Sequence, residues 1–292
     1  MNKRGILKSD LCISVEKCGL KIIFFKFKNN TVDIIDEYFL ENRLETRVFL
    51  EQGSGSEYIK TIVESIKNRS IKNNISGYSR VYINIQESDI MLRNVYIDSE
   101  IKENMLVKAI ELELNEYIPN IGKDYIIKYR YIEKENEFIR AGTVIFPKKY
   151  KELYGKLCDE IKCEKRYISI NFDILGKIIH SFEIFNNKFD DNVNKIYIEC
   201  RKEDVIITKA ESKRIIESYV INNEDLNEAT LTQVMDGIKE SFIYGIYNPY
   251  IVGEISNVST LNDINLASEI SINKRNEKIS SSDYINLIGF LM

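Results

Sequence analysis

VKAIELELNEYIP, residues 107–119, closes a helix that the sequence starts near Glu100. The helix stops because Pro119 pushes Ile118 out of helical geometry. At about 100° per residue, Leu106, Ala109, Ile110, Leu114 and Tyr117 share one broad apolar face. Glu113 falls in the middle of that face rather than on the polar side. An unpaired buried carboxylate is strongly disfavoured, so Glu113 needs a donor or a path to water. The donor is internal, Arg93 or Arg130, or it belongs to a bound partner.

Working outward, IMLRNVYI (90–97) alternates like a strand before this helix, as does VYINI (81–85). Two more strands follow it, YIIKYRYIE (125–133) and FIRAGTVIF (138–146). Pro147 ends the run, and Tyr150 to Ile161 reads as helix. Residues 80–148 therefore look like a strand–helix–hairpin insert set in a larger α/β layer. Upstream, LCISV, LKIIFFKF and TVDIIDEYFL are strands, with turn chemistry at Gly19 and at Asn29-Asn30. Gly53-Ser54-Gly55-Ser56 is too short for a phosphate-binding fingerprint and reads as a loop, with Ser56 capping a helix that presents Ile59, Ile62, Val63 and Ile66. Downstream, ISINFDILGKIIHSF is a short strand and an apolar helix. KIYIE, DVIITK and RIIESYV then form a meander. Leu226 to Tyr247 reads as helix, with Leu231, Val234, Ile238 and Phe242 in phase. PYIVG and ISINK are strands, and DYINLIGFLM is an apolar helix. The two halves, residues 1–190 and 191–292, share a plan of strands, helix and further strand.

At 292 residues the chain can bury a sizeable core in one or two domains. A net charge of -4 and a pI near 5.5 argue against a nucleic-acid binder. No apolar run is long enough to span a bilayer, so the expectation is a cytoplasmic protein without direct membrane insertion. Cys12, Cys18, Cys158, Cys163 and Cys200 form no CxxC pair and read as reduced, mostly core residues. His180 is the single histidine, in an apolar helical pattern, and is expected to be packed or capping. Triad and multi-histidine metal chemistry are thereby disfavoured, and no metal site is expected.

The stretch LRNVYIDSEIKENMLVKAIELELNEYIP, followed by a hairpin ending RAGTVIFPKKYKEL, resembles the PilM family of type IV pilus assembly proteins. The family's Glu-x-x-x-Tyr-Ile-Pro-like motif is matched by Glu113, Tyr117, Ile118 and Pro119, and its Pro-Lys pair by Pro147 and Lys148. The resemblance is specific over about a third of the chain. It implies an FtsA-like, actin-like α/β fold: two related domains, with residues 80–148 in the place of the insert called subdomain 1C.

The chain departs from actin-like proteins at the nucleotide motifs. Such proteins wrap ATP phosphates with two Asp-x-Gly-rich hairpin loops, where glycine lets backbone N–H groups approach. Here Ser14 and Glu16 stand at the first loop, Tyr197 and Glu199 at the second, and Gly253-Glu254 at the adenosine motif. Two carboxylates would face a triphosphate and repel it. Asp10 and Asp204 lack the following glycine. The segment NNEDLNEA leaves little room for subdomain 2B, the roof of the cleft, so subdomain 2B is expected to be reduced or missing. The site is read as lost, with no ATP or other cofactor expected.

What the resemblance implies is a non-enzymatic scaffold. It would sit at the inner face of the cell membrane and bind the cytoplasmic N-terminal peptide of a PilN-like protein, beside other platform or motor proteins of the pilus. Ile90, Leu92, Arg93, Glu113, Tyr117 and Pro119 are the expected groove residues, with apolar members holding aliphatic side chains and Arg93 and Glu113 giving specificity. The competing expectation is an ATP-binding, ATP-switched actin-like filament former. An FtsA-like membrane tether is disfavoured, since DYINLIGFLM carries no Lys or Arg.

Overall fold

The computed structural model describes residues 7–17, 19–41, 46–87, 89–185, 194–201, 204–211, 214–222, 240–245, 258–260, 270–275, 277–278 and 284–292. Three sheets organise them.

The largest has seven strands. β1 (Leu7–Glu16), β2 (Gly19–Lys28) and β3 (Thr31–Glu41) form an antiparallel meander. Asn29 and Asn30, at φ 51° and 55°, make the tight turn between β2 and β3 that the Asn-Asn pair predicts. After α1 (Thr46–Glu51) and α2 (Gly55–Lys72), β4 (Ile75–Ile85) runs parallel to β1. Alternation along β1 decides the layers: Leu11, Ile13 and Val15 join a core with α2 and α5 (Lys148–Ile161), whereas Cys12 joins a second core with the C-terminal helix. Ile59, Ile62, Val63 and Ile66 of α2 are buried as their spacing predicts. Gly19 is fixed by packing, because a Cβ there would lie 2.5 Å from the Leu40 carbonyl oxygen.

The three-stranded sheet is antiparallel, ordered β5 (Met91–Asp98), β7 (Phe138–Pro147), β6 (Tyr125–Glu135). One face packs on α3 (Leu106–Tyr117), through Val95, Ile97, Ala141 and Ile145 against Leu106, Ile110 and Leu114. α3 starts later than Glu100, behind a 3₁₀ turn at Glu103–Met105, and a four-residue helix, α4 (Ile121–Asp124), follows it. The insert is also shorter than residues 80–148: Val81–Ile85 is the end of β4 in the large sheet, and the chain departs only after it.

After β8 (Lys165–Ile170), parallel to β4, comes α6 (Asn171–Phe185). The third sheet follows, ordered β11 (Arg214–Asn222), β10 (Asp204–Glu211), β9 (Asn194–Cys200), β12 (Glu240–Gly245), β13 (Val258–Thr260). It repeats the plan β3-β2-β1-β4-β8: an antiparallel meander whose first strand pairs in parallel with the next. β12 corrects the sequence reading, which placed Phe242 on a helix. The spacing of Leu231, Val234, Ile238 and Phe242 is helical, but the aromatic, β-branched run Ser-Phe-Ile-Tyr pairs with Ile196–Glu199 instead. The rest of the expected Leu226 helix, the PYIVG strand and the segment assigned to a reduced subdomain 2B lie outside the described residues.

The tail departs from the 191–292 grouping. β14 (Ser271–Lys274) adds in parallel to β3, β15 (Glu277–Lys278) pairs with β14, and α7 (Ile285–Leu291) packs on α6. Lys274 Nζ (2.5 Å) and Tyr284 Oη (2.7 Å) both donate to Glu37 of β3. His180 is exposed on α6, not packed. Cys12, Cys158 and Cys200 are buried free thiols, and Cys163 is half-buried.

Candidate functional site

β5 and α3 bring Arg93, Glu113 and Tyr117 together. They line a groove of about 440 Å³ whose floor includes Val95, Leu114 and Ile118. The reason is periodicity. Odd-numbered residues of β5 face α3, and Glu113 and Tyr117 lie one helical turn apart on its facing edge. Tyr117 is 74% exposed, so it does not complete the apolar face that its spacing suggested. Glu113 is half-buried, and neither Arg93 nor Arg130 is its partner. Arg130 lies against Gly176 of α6 instead. Among the described residues, neither Arg93 nor Glu113 makes a side-chain ion pair or hydrogen bond. The groove thus offers one unpaired cation, one unpaired carboxylate and an open aromatic ring over an apolar floor.

The other three expected residues lie elsewhere. Ile90 (4% exposed) and Leu92 (8%) belong to the main core, because Leu92 points to the opposite side of β5 from Arg93. Pro119 is exposed and outside the groove. The period-2 pattern of LRNVYI carried this distinction between Leu92 and Arg93.

The two hairpins expected to hold phosphates, β1–β2 and β9–β10, do face each other, but side chains of the chain itself lie between them. Arg201 donates from Nε and Nη2 to both carboxylate oxygens of Asp204, each at 2.5 Å, and from Nη1 to the Val15 carbonyl oxygen at 3.3 Å. Glu199 accepts from Asn171 Nδ2 at 2.8 Å and from Asn286 Nδ2 at 3.0 Å, and Asn84 Nδ2 donates to Asn171 Oδ1 at 3.0 Å. This buried chain of amides links β4, α6, β9 and α7. Glu16 sits beside it. Burial lifts its carboxyl to about 7, with Arg201 opposing and Glu199 reinforcing the rise. Burial alone would weaken Arg201 as a base, but Asp204, Glu199 and Glu16 hold its pKa above the ordinary value. Ser14 and Tyr197 are buried strand residues; Gly253 and Glu254 lie outside the described residues. Asp10 is held by Arg80, with Nε 3.1 Å from Oδ1. Arg201, Asn171 and Asn286 were not singled out in the sequence, and only the Arg201–Asp204 spacing across a turn hinted at a pair.

No group of three or more His, Cys, Asp or Glu side chains suited to a metal ion occurs among the described residues. None of the described helices is long and apolar enough to cross a membrane.

No family model matches the chain. Over 160 residues it is 26% identical to the zinc metalloprotease ZmpC of Streptococcus pneumoniae serotype 4. That match takes in 50% of this chain and 9% of the protease, so the chain spans about a tenth of that relative's length. Among solved structures, a PilM-PilN type IV pilus biogenesis complex superposes with a TM-score of 0.60 at 9% identity, covering 96% of this chain and 94% of the other. The cytoplasmic domain of EpsL, an inner-membrane component of the type II secretion system of Vibrio cholerae, gives 0.53 at 10% identity, covering 97% and 95%. The chain has the actin-like α/β fold.

Proposed function

We propose that this chain is a non-enzymatic scaffold of a type IV pilus or related secretion platform. In this reading the β5–α3 groove seats the cytoplasmic N-terminal peptide of a PilN-like membrane protein, and that contact holds the scaffold at the inner face of the cell membrane. The observation that carries it is the groove itself: Arg93, Glu113 and Tyr117 converge there, and neither charge is satisfied within the described residues. A peptide supplies a carbonyl or carboxylate for Arg93, an amine or amide for Glu113, and an aliphatic side chain for the apolar floor. The likeness to a PilM-PilN complex supports the choice of partner class. The absence of ATP hydrolysis belongs to the same proposal. It is supported by the Arg201–Asp204 pair and by the Glu199 amide chain, which place side chains of the chain itself between the hairpins.

Calorimetric titration tests both halves. The protein is titrated first with Mg-ATP and then with a synthetic PilN N-terminal peptide. No heat with ATP and saturable peptide binding, weakened in Glu113→Ala and Tyr117→Ala, is the expected result. Tight ATP binding, or a peptide affinity untouched by both substitutions, overturns it.

A further inference from the structure

The insert is where this chain leaves apolar side chains in water. Of the eleven large apolar or aromatic side chains exposed among the described residues, seven lie between residues 91 and 147, about a fifth of the chain. Single exposed residues of this kind are ordinary, but their concentration on one small module marks a contact surface. α3 and the turn before it carry four of the seven: Met105, Val107, Leu112 and Tyr117.

Tyr117 belongs to the groove, and periodicity places two of the others beside it. Ile110 and Leu114 face the sheet, and Glu113 looks toward β5. At about 100° per residue, Ala109, Glu116, Met105 and Leu112 follow Glu113 in that order round the helix, away from the sheet. They make a shoulder that begins at the rim of the groove. Leu112 is 59% exposed and Met105 45%, Ala109 is half-buried between them, and Glu116 is exposed. Val107 and Glu111 lie on the opposite flank, where Glu111 acts on Tyr129 of β6. From Ala109 to Tyr117 the helix carries three glutamates and no cation. Glu116 makes no ion pair among the described residues.

We infer that this shoulder seats the stretch of the partner that follows the peptide in the groove. That stretch is an extended, basic segment, with an apolar side chain against Leu112 and Met105 and a lysine or arginine against Glu116. The inference rests on the groove being the seat of a membrane protein's cytoplasmic N-terminal peptide. A chain leaving that seat for the membrane passes over one of the two rims. The β5 rim has β11 lying alongside it, whereas the α3 rim is exposed, apolar and acidic. Cytoplasmic residues next to a membrane span are enriched in Lys and Arg, so the charge of the passing segment matches that rim. Met105 to Leu112 is about two helical turns, roughly 10 Å, which three or four residues of extended chain span.

The test is a calorimetric titration of the full chain with two synthetic peptides from the N-terminus of the PilN-like partner. The short one fills the groove, and the long one continues to the start of the membrane span. The long peptide is expected to bind at least about fivefold tighter than the short one at low salt, and to lose most of that advantage as salt screens the charges. Leu112→Asp and Glu116→Lys should bring the long peptide down to the affinity of the short one and leave the short one unchanged. Both side chains are exposed, so neither change touches the core. A long peptide with Glu in place of its Lys and Arg should bind no tighter than the short one. If the short peptide binds and the extension adds nothing, or adds as much with Leu112→Asp or in its acidic form, the inference fails while the groove reading stands. Failure of both peptides to bind overturns the groove reading and the inference together. Sedimentation in which Leu112→Asp turns a dimer into a monomer would give the shoulder to a second copy of this chain and overturn the inference.

Discussion

The Arg201 guanidinium donates to the Val15 carbonyl oxygen at 3.3 Å, tying the turn of the β9–β10 hairpin to the end of β1. The same guanidinium is paired with Asp204, and both side chains are buried. Breaking such a pair from one side leaves a bare charge in the interior, which costs about 3–5 kcal/mol. Arg201→Leu is therefore expected to lower the urea-unfolding free energy by that amount. The double change Arg201→Leu with Asp204→Leu should recover part of the loss. A single-variant midpoint indistinguishable from wild type would mean that Asp204 is solvated.

Glu16 sets a pH dependence. Its carboxyl titrates near 7 in the folded chain, against an ordinary value of 4.5, with burial as the main cause. Folding therefore favours the protonated form. The stabilisation is fully present below about 4.5 and is lost as pH rises through 7. Glu16→Gln should remove that loss, making the variant more stable than wild type by on the order of 2–3 kcal/mol at pH 8, and closer to it at pH 5. Chemical denaturation at the two values checks this; parallel pH curves would exclude it.

Gly289 lets α7 lie directly on α6. A Cβ there would come within 3.0 Å of the Ile174 carbonyl oxygen and 2.8 Å of the Ile178 Cδ1. Backbone cannot yield as a flexible side chain can, so Gly289→Ala should cost about 1–3 kcal/mol. Hydrogen exchange should accelerate in both α6 and α7. Exchange confined to α7 would show that the helix merely frays.

Ile110 is fully buried between α3 and the three-stranded sheet. Ile110→Ala should destabilise by about 2–5 kcal/mol, through lost burial and the cavity left behind. The groove between α3 and β5 gives this substitution a functional readout as well. If α3 positions Glu113 and Tyr117, peptide affinity falls with the loss of packing, while Tyr117→Ala lowers affinity at unchanged stability. Thermal melts beside titrations separate the two.

Local pattern carried most of the elements and only part of their arrangement. The strands of the first meander, the hairpin 125–147 and the helix ending at Pro119 were legible because their alternation, Asn turns and proline stop act within a few residues. β12 was not, since Phe242 satisfies a helical spacing and its strand identity comes from pairing with β9. The return of residues 271–274 to β3 was equally invisible, being a pairing between distant parts of the chain. In the groove, Arg93, Glu113 and Tyr117 are readable from motif and spacing. Ile90 and Leu92 share the motif but not the side of the strand, and it is the side of the strand that decides which residues reach the groove.

The pairing of β14 with β3 joins residues separated by 240 positions, as in the Asn273–Asp33 contact. During synthesis the edge of β3 must therefore wait, unpaired, while the whole third sheet emerges from the ribosome. An exposed edge held open that long is a site for misassociation. Three charged side chains along β3, Asp33, Asp36 and Glu37, discourage a foreign strand from adding there until Lys274 and Tyr284 arrive to satisfy Glu37. A later-made strand thus closes a layer made some 240 residues earlier, and nascent chains halted before Ser271 should need a chaperone to stay soluble.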